Sequence, residues 1–120
     1  MPTRQPSDLL PLRPVDFLIL LMLAGGESHG YRIMQSVAEH TEDQMQLEAG
    51  SLYRTIRRLQ DEHLIEESAR RPAADLDDER RRYYRLTAFG KRVASAEASR
   101  LRLLVRLAES SRLLTPLAVG

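Results

Sequence analysis

Three arginines, Arg54, Arg57 and Arg58, crowd the segment Gly50-Ser51-Leu52-Tyr53-Arg54-Thr55-Ile56-Arg57-Arg58-Leu59. Within it Leu52, Ile56 and Leu59 recur at i, i+4 and i+7, the spacing of one buried helical stripe. The arginines then fall on the opposite, exposed side. Three guanidinium groups on one face repel one another and favour an anionic partner. Their planar forks suit phosphate and guanine in particular. Gly50 and Ser51 are small and sit at the helix start, so they allow close approach to a large partner. Anion recognition of this form is what a helix in a DNA major groove requires. A merely solvated helix face presents the same residues, so the elements around the segment decide between the two.

Those elements read in the order helix, helix, helix, strand, strand, long helix. Pro14 suits a first helical turn, and residues 15–24 are apolar nearly all round, as in a helix buried on most sides. Gly25-Gly26 ends it. Ser28 is a candidate N-cap for a second helix, whose stripe is Tyr31, Ile33, Met34 and Val37 and which runs to His40. Residues 41–47 are polar and carry a turn, and the arginine-bearing helix spans 49–62. Residues 64–69 form a short strand candidate. Residues 70–79 contain Pro72 and acids and read as a loop. Residues 81–87, with Tyr83, Tyr84 and Thr87, form the clearest strand. Tyr83 and Tyr84 point to opposite faces, so one of them belongs to the core. Thr87 is positioned to cap a last helix running to about Ser111.

This pattern is mainly α with a small β-hairpin: a winged helix-turn-helix followed by a long C-terminal helix. The expected organisation is a flexible N-terminal arm over 1–12, with three prolines, then a winged helix-turn-helix over 13–87. A dimerisation helix follows over 88–112, and a tail over 113–120. The apolar stripe of the last helix includes Val93, Leu101, Leu104, Leu107 and Ala108. It finds no partner within so small a domain, so a second copy related by a two-fold axis is expected to cover it.

Composition narrows the function. At 120 residues, with 42% hydrophobic and 29% charged content, the chain is one ordinary globular domain. It has no cysteine, hence no disulfide, thiolate metal site or cysteine nucleophile. The three histidines, His29, His40 and His63, match no metal-ligand spacing. There is no Ser/His/Asp grouping, phosphate loop or paired-carboxylate pocket, so neither an enzyme nor a cofactor is expected. The apolar run 17–24 is far shorter than the roughly 20 residues that span a bilayer, and no export signal precedes it. A cytoplasmic location is the expectation. The net charge of +1 hides two basic clusters, at 54–58 and 80–85, set against acidic residues at 42–48, 61–67 and 75–79.

Four blocks carry a family resemblance. His29-Gly30-Tyr31-Arg32-Ile33 matches HGYxI. Gly50-Ser51-Leu52-Tyr53-Arg54 with Arg58-Leu59 matches G-[ST]-LYxxLxRL. Leu64-Ile65 matches the start of the wing. Residues 81–87 with Gly90 match RxYYxLTxxG. In this order they resemble the PadR family of bacterial transcriptional regulators, over roughly residues 14–92. The resemblance implies a winged-helix repressor that dimerises through its C-terminal helix and binds an inverted repeat in double-stranded DNA. It leaves room for a small-molecule effector between wing and dimer helix. The single terminal helix is similar to the family's short branch. Two departures stand out: Arg54 replaces a common proline, and the wing loop is acidic at Asp75, Asp77, Asp78 and Glu79.

The residues expected to contact DNA are Ser51, Arg54, Thr55, Arg57 and Arg58. Arg54, early on the exposed face, is placed for a base edge, because Arg to guanine is the commonest specific contact. Arg58 is assigned to a phosphate, the commoner target overall. A pair of Arg57 with Asp61 at i+4 is the competing use of that side chain. The resemblance adds the hydroxyls of Tyr53 and Tyr31 as phosphate contacts. The second helix start also offers N–H groups, with His29 there either on phosphate or capping the helix. Arg81 and Arg82 lie where the wing could follow the backbone into the minor groove. The rival reading is a winged-helix protein-interaction module without operator binding.

Overall fold

The computed structural model of the protein describes residues 4–68 and 82–117. Helix α1 (Pro14–Ala24) starts on Pro14 as its first residue, with Arg13 extended before it, as a residue preceding proline must be. Its buried side chains are Asp16, Ile19, Leu20 and Leu23. Gly25 caps it, and Gly26 follows at φ 138°, a backbone geometry open to glycine alone. Helix α2 (Gly30–His40) buries Ile33 and Val37. Helix α3 (Ala49–Asp61) buries Leu52, Ile56 and Leu59, the stripe expected from the spacing. It ends in a left-handed turn: His63 has φ 62°, its N–H reaches Gln60 O, and the Leu64 N–H reaches Leu59 O. That paired closure satisfies the helix's last carbonyls and turns the chain straight into the sheet.

The sheet has three antiparallel strands rather than the two of a simple hairpin. β2 (Ile65–Glu67) pairs with β3 (Tyr83–Leu86), Glu66 opposite Arg85, as expected for the wing. The other edge of β3 is taken by β1 (Ser28–His29), with Ser28 opposite Tyr84. Ser28 is therefore a strand residue and not the cap of α2. The cap is His29, whose Nδ1 accepts the Arg32 N–H at 3.1 Å. Tyr84 is the buried member of the tyrosine pair, and Tyr83 stands edge-on to the His29 ring at 5.3 Å.

Helix α4 (Ala88–Ser110) is capped by Thr87, whose Oγ1 accepts the Gly90 N–H at 2.9 Å and donates to His63 O at 2.6 Å. The same threonine thus joins α4 to the end of α3. Gly90 makes that junction sterically possible, since a Cβ there would sit 1.8 Å from the Leu64 carbonyl oxygen.

The N-terminal segment departs from the flexible arm read from its prolines. Pro6–Leu9 forms a short 3-10 turn, and Leu9, Leu10 and Leu12 pack on the core. The Leu12 N–H donates to Glu97 Oε2 at 2.8 Å. Arg4 pairs with Glu62 at 2.6 Å and lies over the Phe89 ring. Prolines bar a regular helix here, but the leucines between them still have apolar surface to bury.

Candidate nucleic-acid interface

The outer face of α3 is what remains once its core stripe is satisfied. Gly50, Arg54 and Arg57 are exposed, Ser51 is half-buried, and Gly50 and Ser51 lie in the first turn. A Cβ on Gly50 would meet nothing nearer than Arg54 Nη1 at 4.0 Å, so its smallness is not required by the fold. Gly30 is the opposite case. A Cβ there would lie 2.6 Å from the Tyr53 hydroxyl, so the bare backbone lets the start of α2 close on α3. That contact leaves Tyr31 55% exposed at the first turn of α2, with Arg32 exposed beside it in sequence.

Two of the residues expected to contact DNA are turned into the fold. Tyr53 and Thr55 are buried, at 8% and 4% exposure. The buried arc of α3 spans Leu52, Tyr53, Thr55, Ile56 and Leu59, wider than the three-residue stripe alone. The Tyr53 hydroxyl is turned inward against Gly30 rather than out toward a phosphate.

Arg58 is half-exposed and already engaged. Its Nη2 donates to Asp16 Oδ1 at 2.5 Å, joining α3 to the first turn of α1. Beside this pair, between the start of α1 and α3, lies a shallow cavity of about 310 Å³ lined by Arg13, Asp16, Ser51, Arg54, Thr55 and Arg58. Arg13 and Asp16 were not among the residues expected here. Their signals in the sequence are slight: one arginine before Pro14, and one acid in an otherwise apolar run. On the wing, Arg82 is exposed and lies 3.9 Å from Glu67, while Arg85 pairs with Glu66 at 3.0 Å. Arg81 and the acids at 75, 77, 78 and 79 lie outside the described residues.

The family profile described as "Transcriptional regulator PadR-like family" matches residues 19–96. The chain belongs to this family. PadR-like proteins are transcriptional regulators and not enzymes. An uncharacterized protein of Lysinibacillus sphaericus is 31% identical over 78 residues, covering 64% of this PadR-like chain and 68% of that protein. A PadR family regulator from Clostridium difficile superposes with a TM-score of 0.68 at 25% identity, covering 80% of this chain and 95% of that one. Bacillus subtilis PadR in complex with operator DNA superposes with a TM-score of 0.61 at 25% identity, covering 76% of this chain and 48% of that one. The mainly helical architecture with a small antiparallel sheet is that of the PadR-like winged helix.

On α4 of this PadR-like chain the residues expected at a dimer interface divide. Val93 is fully buried in the subunit's own core, so it is not surface for a second copy. Leu101 and Ala108 are half-buried, while Leu104 and Leu107 are 46% and 54% exposed. Leu103 and Val105 add to the uncovered apolar surface. Between the two regions stands Glu97, buried, which accepts from Arg100 Nε at 2.5 Å and from the Leu12 N–H. The Arg100 hydrogen bond holds the Glu97 carboxyl below the usual carboxylate range against the opposing effect of burial, and the Leu12 N–H adds to the lowering. Arg100 is correspondingly held above its ordinary value by Glu97.

Among the described residues no three His, Cys, Asp or Glu side chains are grouped to hold a metal ion. No described helix is long and apolar enough to cross a membrane.

Proposed function

We propose that this PadR-like chain is a cytoplasmic homodimeric DNA-binding regulator that represses transcription from an inverted-repeat operator. The observation that carries the reading is α3. Its inner arc is fully used by the core, and its outer face offers Gly50, Ser51, Arg54 and Arg57, two small residues and two guanidinium groups, at and just after the helix start. In the major groove Arg54 reads a base edge, worth about 1–3 kcal/mol of discrimination, while Arg57 and Ser51 contact phosphates. Tyr31 at the start of α2 and Arg82 at the wing root supply flanking backbone contacts. The exposed leucines of α4 join two copies, with half-sites about 34 Å, or a multiple of that, apart. The term in α4 is apolar burial, at about 25 cal/mol for each Å² removed from water.

Fluorescence anisotropy on the protein's own upstream DNA and on a scrambled duplex of equal length, across a salt series, tests this. Arg54→Glu with Arg57→Glu is expected to abolish binding while the dimer persists in size-exclusion chromatography. Binding that survives both changes removes α3 as the reading helix. A thermal-shift screen with phenolic and planar cationic compounds tests whether a small effector acts on the same dimer.

A further inference from the structure

We infer that Asp16 is a positioning residue that holds Arg58 out of the DNA contacts and so limits sequence-independent binding. The inference rests on the proposed reading of α3 as the DNA-facing helix. Asp16 lies in the first turn of α1, 8% exposed, and its carboxylate reaches across to a guanidinium 42 positions further along the chain. Arg58 keeps a side chain 38% exposed, so it stands at the rim of the interface with its charge already matched. The pair lines both the cavity shared with Arg13, Ser51 and Arg54 and a second cavity of about 160 Å³ beneath the N-terminal segment. It is therefore built into the floor between α1 and α3, not laid over the outside of α3.

Two consequences follow from electrostatics. A phosphate brought to Arg58 also meets the Asp16 carboxylate a few ångströms behind it, so attraction and repulsion offset each other. An arginine neutralised within the protein releases no counterion from DNA, and sequence-independent affinity is made almost entirely of such releases. The carboxylate is also favoured where it stands, because the first turn of a helix stabilises negative charge. Asp16 thus occupies the anion-binding position that a phosphate would otherwise take, and the reading of base edges stays with Arg54.

The test is a salt titration of anisotropy on a scrambled duplex, using the full chain and the variants Asp16→Asn, Arg58→Gln and the double variant. Asp16→Asn frees one guanidinium for phosphate. The slope of log affinity against log salt is expected to steepen by about 0.9, tightening binding by a further factor of about three to four when salt falls fourfold. Arg58→Gln is expected to keep the wild-type slope, and the double variant to restore it. A slope unchanged by Asp16→Asn, with or without a lower melting temperature, reduces Asp16 to a structural partner and overturns the inference. A slope that falls by about 0.9 in Arg58→Gln also overturns it, since Arg58 is then a phosphate contact in the wild type. That second arm decides the matter if Asp16→Asn does not fold. Wild-type protein that binds no duplex at any salt defeats the proposed function itself, whereas salt-dependent wild-type binding with slopes insensitive to these variants defeats only the role of Asp16.

Discussion

Replacing Gly90 by alanine should be among the most damaging one-methyl additions to this protein, although the site lies inside a helix, where alanine is normally the better residue. The added Cβ would fall 1.8 Å from the Leu64 carbonyl oxygen, and that oxygen belongs to backbone that cannot rotate away. To restore ordinary contact, the start of α4 must withdraw by about 1.5 Å, which in a close-packed interior costs about 1–3 kcal/mol. The withdrawal also stretches the two bonds that cross the junction, from the Thr87 hydroxyl to His63 O at 2.6 Å and from the Thr87 N–H to Leu64 O at 3.1 Å. Each such bond contributes about 1 kcal/mol. Alanine's helix propensity returns about 1 kcal/mol. The net loss is about 2–4 kcal/mol, or a midpoint lowered by about 1–2 M in urea for a slope near 2 kcal/mol/M. Urea unfolding followed by circular dichroism at fixed protein concentration measures it. Gly50→Ala is the internal comparison: with open space at its Cβ it should be neutral or gain up to about 1 kcal/mol. Gly90→Ala within about 0.5 kcal/mol of wild type would refute the steric argument.

Two further predictions separate the roles of α4. Val93→Ala should lower stability by about 2 kcal/mol without changing the oligomeric state, because Val93 is core, whereas Leu104→Arg should give a folded monomer by size-exclusion chromatography with light scattering. Glu97 carries a pH signature: its carboxyl is held low in the folded chain, so its contribution is present above the ordinary carboxylate range near 4.5 and is lost as pH falls through the lowered value. Glu97→Gln should therefore be less stable than wild type at neutral pH and lose less stability on acidification, as read from melting curves between pH 7 and 3.

The parts of the fold that were legible in the sequence are those with strong local grammar. The i, i+4, i+7 leucine and isoleucine pattern of α3, the Thr87 cap and the tyrosine pair each follow from contacts within a few residues. The missed features depend on distance. β1 is two residues long, too short for any periodicity, and exists only because β3 offers a second edge. The N-terminal segment docks through Glu97, 85 positions away from Leu12. Tyr53 and Thr55 carry hydroxyls that suit either water or a close-packed interior, and the width of the buried arc on α3 is set by α1 and α2, not by α3 itself. Of the residues proposed to face DNA, Arg54 and Arg57 could be placed on the exposed side of α3 by helix phase alone. The partner of Arg58 could not, because nothing in the spacing around it points to an aspartate 42 residues earlier. Val93 shows the same limit on α4: one apolar stripe is buried in the subunit's own core at Val93 and exposed further along at Leu104 and Leu107.

The Thr87–Gly90 junction also has a mechanical meaning. From that fixed point α4 extends 23 residues, about 35 Å, and its far half stands clear of the subunit core. Such a rod amplifies rotation: a tilt of about 5° at its root moves the far end by about 3 Å, close to the rise of one base pair. In the proposed dimer joined along α4, the separation of the two α3 helices would therefore be tuned at the root of the rod, by Thr87, Gly90 and the Glu97 tie to the N-terminal segment. Substitutions at these positions would register as a preference for a different half-site spacing.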